Sequence, residues 1–269
     1  MTRNFVHHCK QGGENALAVL AAASSLPKMR LKDAMSKGAV WLKRKGKGNH
    51  RLRRATAELQ TGDELSLHYN AEILALTPPA PELIADEKQY SIWNKPAGLL
   101  AQGTLEGDHC SLLRIAEQQL HREVFLVHRL DRGAEGLMLI AHTGKAAAAL
   151  SALFAQEAKQ GIRKIYRVEV RGKVEPQGEI PAPLDGKTAL TRYRLLEYLA
   201  ERDSSLVEVE LVTGRKHQIR RHFAGIGHPV LGDPQYGSDN KDSRGLQLRA
   251  VGLYFDCPLV KHQQSYCLP

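Results

Sequence analysis

The chain has 269 residues, 42% of them hydrophobic and 25% charged, which excludes wholesale disorder and fibrous repeats and allows one large domain plus a small one. Its formal net charge is +9, and residues 1–70 alone carry 13 Lys/Arg against 5 Asp/Glu, so nearly all the excess sits in the first quarter. A compact basic unit joined to a near-neutral larger one fits a phosphate grip beside a reaction site, the plainer alternative being a solubilising face.

Residues 15–24 are helix-forming, residues 31–36 continue as a second helix, and Gly38-Ala39-Val40-Trp41-Leu42 reads as an apolar strand. The Ala/Leu run at 17–26 is too short for a bilayer and is not placed like a signal peptide, so a cytoplasmic protein with no membrane partner is expected. Lys43-Arg44-Lys45-Gly46-Lys47-Gly48 follows as a basic exposed turn, and Thr61-Gly62-Asp63 leads into a strand at 64–69. Arg30-Leu31-Lys32-Asp33-Ala34-Met35, with Gly38-Ala39-Val40 and Gly62-Asp63-Glu64-Leu65, resembles the S-four-type RNA-binding domain. That resemblance implies a small α/β domain at 1–75 that contacts RNA through Arg30, Lys32, Lys43, Arg44, Lys45, Arg51 and Arg53.

Thr77-Pro78-Pro79-Ala80-Pro81 cannot continue a helix or a central strand, which makes 76–86 the expected linker and 87–269 the second domain. Within it, strand-like runs at 90–94, 124–128, 137–142, 164–170, 189–198, 206–212 and 252–255 alternate with helical segments, chiefly the Ala-rich 144–158. This order fits an α+β class with a mixed or antiparallel sheet better than a doubly wound nucleotide fold. Cys9, Cys110, Cys257 and Cys267 form no Cys-x-x-Cys pair and have no His at metal spacing, so reduced thiols are expected, with neither zinc nor disulfides. The pair His7-His8 carries no evident meaning.

Val127-His128-Arg129-Leu130-Asp131-Arg132 ends an apolar run and sets a carboxylate between two arginines, which favours its ionised form. Taken alone, a salt-bridged turn aspartate explains it better than a nucleophile does. Three more segments shift the balance: Tyr-Ser-Ile-Trp-Asn-Lys-Pro-Ala-Gly at 90–98, Lys164-Ile165-Tyr166 with Lys164 and Tyr166 on one strand face, and Thr213-Gly214-Arg215-Lys216-His217-Gln218-Ile219-Arg220-Arg221-His222 entering a basic helix. In order and approximate spacing these resemble the RluA family of pseudouridine synthases over residues 90–256.

The resemblance implies an isomerase acting on uridine in structured RNA, ribosomal rather than transfer RNA by a narrow margin; the reaction moves no electrons or phosphates and so requires no cofactor or metal, and a monomer is the default expectation. The resemblance makes Asp131 the catalytic carboxylate and Arg215 its charge partner, with Tyr166 stacking on the uracil and assisting removal of the ring-carbon proton. Arg129 would fill the space of an extruded nucleotide, Leu248 would line the pocket, and His128, Lys164, His217 and Arg220 would contact substrate. On residue type alone, Tyr166 reads better as a cross-strand packing residue, and Arg215 and Arg220 read also as nonspecific phosphate contacts.

Two positions depart from the family pattern. Glu135 in Arg132-Gly133-Ala134-Glu135-Gly136 replaces a small hydroxyl, and would raise the pKa of Asp131 if it pointed that way. Arg249 stands where histidine is commoner. Together they keep open a noncatalytic RNA-binding protein on a synthase scaffold. A methyltransferase would need a glycine-rich cofactor loop, which is missing; Gly186-Lys187-Thr188 is no phosphate loop, because Pro181 stands where its first glycine belongs.

Overall fold

A computed structural model describes residues 2–155, 161–238, 240–260 and 262–269. The chain forms two compact units, one made of Met1–Pro78 with Gln102–Ile115, the other of Pro79–Ala101 with Ala116–Pro269.

In the first unit, β1 (Thr2–His8) leads to α1 (Ala16–Ser24), α2 (Lys28–Ser36), β2 (Val40–Lys43), β3 (His50–Arg51), β4 (Glu64–Asn70) and the short α3 (Ala71–Leu74). Asn15 caps α1 by accepting the Ala18 N–H at 3.0 Å, and Ser25 ends it in the left-handed region at φ 54°. The sheet order is β1-β4-β2-β3 with every pair antiparallel. Leu20 and Leu31 from the helices pack on Val40, Leu65 and Leu67, all fully buried, at about 1.5–3 kcal/mol per large apolar side chain. Strand β1 was not legible in the sequence: its inward positions are Arg3, Phe5 and His7, so the apolar alternation is broken by polar residues.

Residues 102–115, expected in the second domain, pack with the first unit instead. Trp41 Nε1 donates to the Leu105 carbonyl at 3.0 Å and the Asp108 N–H donates to the Lys37 carbonyl at 2.9 Å.

In the second unit, β5 (Glu82–Asp86) falls where a linker was expected: once the prolines end at Pro81, the chain pairs antiparallel with β6 (Tyr90–Lys95). The chain passes through α4 (Leu112–Leu120), whose first four residues belong to the first unit, and continues through β7 (Phe125–Leu126), β8 (Glu135–Ala141), α5 (Gly144–Ala155), β9 (Arg163–Arg171), β10 (Gln177–Ile180), β11 (Thr191–Leu199), β12 (Ser204–Leu211), α6 (Gln218–Gly225), β13 (Leu248–Asp256) and β14 (Gln263–Cys267). Residues 156–158 of the expected helix lie outside the described residues. The sheet runs β10-β11-β12-β9-β13-β8-β6-β5, with β14 on β13 and β7 on β8; among the described residues only the β13–β8 pair is parallel. This is a mixed sheet in an α+β unit. Ala146 and Leu150 of α5 seat on Ile92, Leu137 and Leu139, closing a dry core on one face.

The single parallel pair aligns Arg249 with Glu135 and Ala250 with Gly136, just after the loop that carries Asp131. Gly136 adopts φ 111°, and a Cβ there would collide with the Ala250 backbone. Only glycine permits this approach. Gly136→Ala is therefore expected to destabilise the protein by more than about 2 kcal/mol in urea unfolding, through backbone strain and the forced separation of β8 from β13; a loss within experimental error would show that the two strands separate freely.

Candidate active site

A cavity of about 510 Å³ opens in the second unit, within the roughly 300–1,000 Å³ of small-molecule sites. Its wall is assembled from the 127–134 loop, α5, β9, the turn into α6, and β13. It gathers Asp131, Tyr166, Arg215, Arg129, His128, Lys164, His217, Arg220 and Leu248 on one surface.

The loop bearing Asp131 is fixed from below. Lys95, fully buried, donates to the carbonyls of Pro96 (2.9 Å), Leu99 (2.8 Å) and Ala134 (2.6 Å), tying the Pro-Gly turn to the residues after Asp131. Burial pushes the Lys95 pKa down to about 8, against the pull of Asp131 and Glu135. Gly98 N–H donates to the Arg132 carbonyl at 2.8 Å, and Arg132 Nε returns a bond to the Gly98 carbonyl at 3.2 Å.

Opposite, the entry to α6 is set by Gln218, only 2% exposed, which uses all its bonding capacity. Its oxygen accepts from Thr213 Oγ1 (2.8 Å) and the Arg215 N–H (3.0 Å); its nitrogen donates to the Leu190 carbonyl and Thr191 Oγ1 (both 3.0 Å). His217 takes φ 53° as the residue before the helix, so the first turn of α6 swings Arg220 into the pocket.

Arg220, not Arg215, is the charge partner of Asp131. Its Nη1 donates to Asp131 Oδ2 at 2.9 Å, while Nε and Nη2 form a bidentate pair with Asp233 at 2.6 and 2.7 Å. Asp233 has a fully buried side chain and also accepts the N–H groups of Gln235 and Tyr236. Burial alone would lower the Arg220 pKa, but the bonds and charges of Asp233 and Asp131 outweigh it and raise the pKa. Arg215 lies on the cavity wall with its Nε committed to the Thr188 carbonyl at 3.0 Å.

His217 completes the carboxylate's surroundings, with Nε2 3.5 Å from Asp131 Oδ1 and Nδ1 3.0 Å from the Tyr236 hydroxyl. Burial holds its pKa below the ordinary value despite Asp131, so the ring is neutral near pH 7. The tautomer that suits both contacts accepts the Tyr236 hydroxyl hydrogen bond at Nδ1 and presents Nε2–H to Asp131.

Tyr166 is 8% exposed on β9, its pKa raised first by burial and then by the Asp131 charge, so its hydroxyl stays protonated. Lys164 sits on the same strand face, its pKa lowered by burial, 5.9 Å from the Phe154 ring; no acceptor among the described residues reaches its ammonium. Arg129 is exposed on the cavity rim and Leu248 closes the wall. His128 is a correction: its Nε2 accepts the Leu139 N–H at 3.0 Å and its ring stacks on Phe154 at 4.1 Å, so it shapes the wall and its acceptor is not free for substrate.

The two departures resolve each other. Arg249 Nε lies 3.5 Å from Glu135 Oε1 across the parallel register, and both line a second cavity of about 280 Å³ that does not contain Asp131. Glu135 thus stands beside Arg249 as a half-exposed ion pair without a hydrogen bond, while Arg249 Nη1 donates to the Pro269 carbonyl at 3.0 Å.

Of the basic residues expected to hold RNA, Arg30, Lys32, Lys43 and Lys45 are exposed. Arg51 and Arg53 are not free: both pair with Asp108, at 3.1 and 2.5 Å, and Arg51 also stacks over Trp41 at 4.2 Å. Arg44 pairs with Asp63 at 3.2 Å. These three arginines fasten loops of the first unit. Lys95, Asp233, Tyr236 and Gln218 had no assigned role in the sequence, because nothing local to them signals a contact to so distant a residue.

A family model described as RNA pseudouridylate synthase matches residues 89–225. A ribosomal large subunit pseudouridine synthase D of Zymomonas mobilis is 34% identical over 61% of this chain, which spans only 58% of that relative's length. An RNA pseudouridine synthase of Bacillus subtilis, itself uncharacterised, is 30% identical over 86% of this chain and 82% of its own. Among solved structures, human RNA Pseudouridylate Synthase Domain Containing 1 superposes with a TM-score of 0.61 at 21% identity, covering 72% of this chain and 86% of that one, a likeness of fold.

The pocket wall also carries a titration. Burial, then Lys164, pushes the His128 pKa from 6.5 down to about 3, so below pH 6.5 the unfolded chain takes up this proton first and stability falls as the pH drops toward 3. The slope from this group is at most about 1.4 kcal/mol per pH unit. His128→Gln, which keeps an acceptor for Leu139, is expected to flatten the fall in unfolding free energy between about pH 6.5 and about pH 5; an unchanged slope would mean that His128 titrates alike in both states.

Proposed function

This chain belongs to the RNA pseudouridylate synthase family, and from that premise we propose that it isomerises uridine to pseudouridine in structured RNA, with Asp131 as the catalytic carboxylate. The observation that carries the reading is the Asp131 carboxylate bridged by Arg220 to a buried Asp233, in a cavity that also presents Tyr166, Lys164 and Leu248.

The reaction breaks the bond from ribose C1′ to uracil N1, turns the base over, and joins C1′ to C5. The proton lost from C5 is balanced by one gained at nitrogen, so the product is an isomer and no electrons leave. Asp131 acts as nucleophile at the sugar or the ring. Arg220 and His217 hold it in one orientation and stabilise its charge whenever it is free. Tyr166 offers a flat apolar face for stacking; its raised pKa supports that role more than proton removal, since the hydroxyl holds its own proton. Lys164 has no acceptor among the described residues and so is disposed to donate to a uracil carbonyl or a phosphate.

A uridine inside a helix must be extruded to reach this cavity, and Arg129, exposed on its rim, would fill the gap. The first unit is read as an S-four-type RNA-binding domain that docks the substrate largely through phosphates, now through Arg30, Lys32, Lys43 and Lys45. Ribosomal RNA is favoured as substrate by the name of the Zymomonas relative. We propose that the enzyme acts as a cytoplasmic monomer. Separately, no helix among the described residues is long and apolar enough to cross a membrane.

Pseudouridine mapping of total RNA tests the reading, using a strain that lacks the gene and is complemented with the wild type or with Asp131→Asn. The expected result is the loss of one or a few sites, restored by the wild type alone. An unchanged map would replace the enzyme with a noncatalytic RNA-binding protein.

A further inference from the structure

Three potential ligands converge in the first unit where β1 ends and α1 begins. His7 Nε2 lies 3.1 Å from Glu14 Oε2, and these atoms and the Cys9 sulfur all fall within 4.8 Å of one another. Ligands bound to a tetrahedral ion at about 2.0–2.2 Å stand roughly 3.3 Å apart, so the His7–Glu14 edge already has the span that a bound ion needs. His7 and Cys9 share the inward face, two residues apart.

The backbone holds all three in place. His7 sits in the ladder opposite Leu65, the Cys9 N–H donates to the Asp63 carbonyl at 2.9 Å, and the Cys9 carbonyl accepts the Gly62 N–H at 2.8 Å. The Glu14 carbonyl accepts the Leu59 N–H at 2.8 Å, and Asn15 caps the helix that follows. Little ordering entropy remains to be lost on binding.

We propose that His7, Cys9 and Glu14 form a binding site for one divalent transition-metal ion of the zinc class. An imidazole nitrogen, a thiolate and a carboxylate together suit zinc rather than magnesium or calcium, which take oxygen ligands. Thiolate and carboxylate balance the charge of the ion. The side chains of His7 and Glu14 are 27% and 40% exposed, which leaves an entry path and room for a water as fourth ligand. Without an ion, His7 pairs with Glu14, and the Cys9 thiol donates to the Gln11 carbonyl at 3.1 Å. The thiolate is the ligand form of cysteine, so binding displaces a proton and tightens as the pH rises. No zinc spacing marks the site in the sequence, where His-x-Cys is followed only by a more distant Glu.

The test uses the full chain, purified in chelator and titrated with cobalt(II) chloride, then zinc chloride. Expected are one bound cobalt with a near-ultraviolet thiolate-to-cobalt band, displaced by zinc, and a zinc-dependent rise in Tm. Cys9→Ser should lose the band and the rise. Glu14→Gln, at a half-exposed position that leaves the fold intact, should weaken cobalt at least about tenfold, as His7→Gln should. Cobalt binding without a thiolate band, no binding by the wild type, or affinity unchanged in Glu14→Gln and His7→Gln would overturn the proposal.

Discussion

A single guanidinium organises the pocket. Arg220 spends two of its donors on Asp233, which is fully buried, and a third on Asp131, which faces the cavity. Burying one arginine between two carboxylates carries a desolvation cost that Coulomb attraction recovers only with good geometry. Here the fork is bidentate, and Asp233 takes two further backbone N–H bonds, so its lone pairs are satisfied. A lysine cannot reproduce this, because an ammonium is a point donor without the planar fork. The product of the arrangement is a carboxylate whose position is dictated from the side away from the cavity.

Everything around the bridge serves to place its two ends. Gln218 fixes the turn that starts α6 and thereby the azimuth of Arg220. Lys95 fixes the Asp131 loop through three carbonyls, and Gly136 lets β8 close on β13 beside it. A charged residue buried among carbonyls is an expensive device where only stability is required. It is a sensible one where a reacting group must be held within a fraction of an ångström.

The residues that line the cavity were largely legible in the sequence. Asp131, Tyr166, Lys164, Arg129 and Leu248 all stand on its wall, since each occupies a local motif whose strand or loop setting can be read directly. The choice between Arg215 and Arg220 was not legible: it depends on where α6 begins, and the left-handed His217 delays that start until Gln218. Glu135 and Arg249 looked like two separate departures because their partnership exists only in the parallel register of β8 and β13. The same limit hid the role of Arg51 and Arg53, which meet Asp108 from a segment more than fifty positions on. Composition shows that arginines are abundant, but not which ones a distant carboxylate has already taken.

On the proposed reading, the fork geometry of Arg220, rather than its charge alone, holds Asp131 for reaction. Single-turnover rates and RNA affinity of Arg220→Lys, measured beside its Tm on an RNA carrying a mapped target uridine, test this most directly. The expected variant is a folded enzyme that binds RNA nearly as well as the wild type but turns over about a hundredfold more slowly, the scale of a misplaced reacting group. A wild-type rate in Arg220→Lys, or a loss confined to RNA affinity, would contradict it.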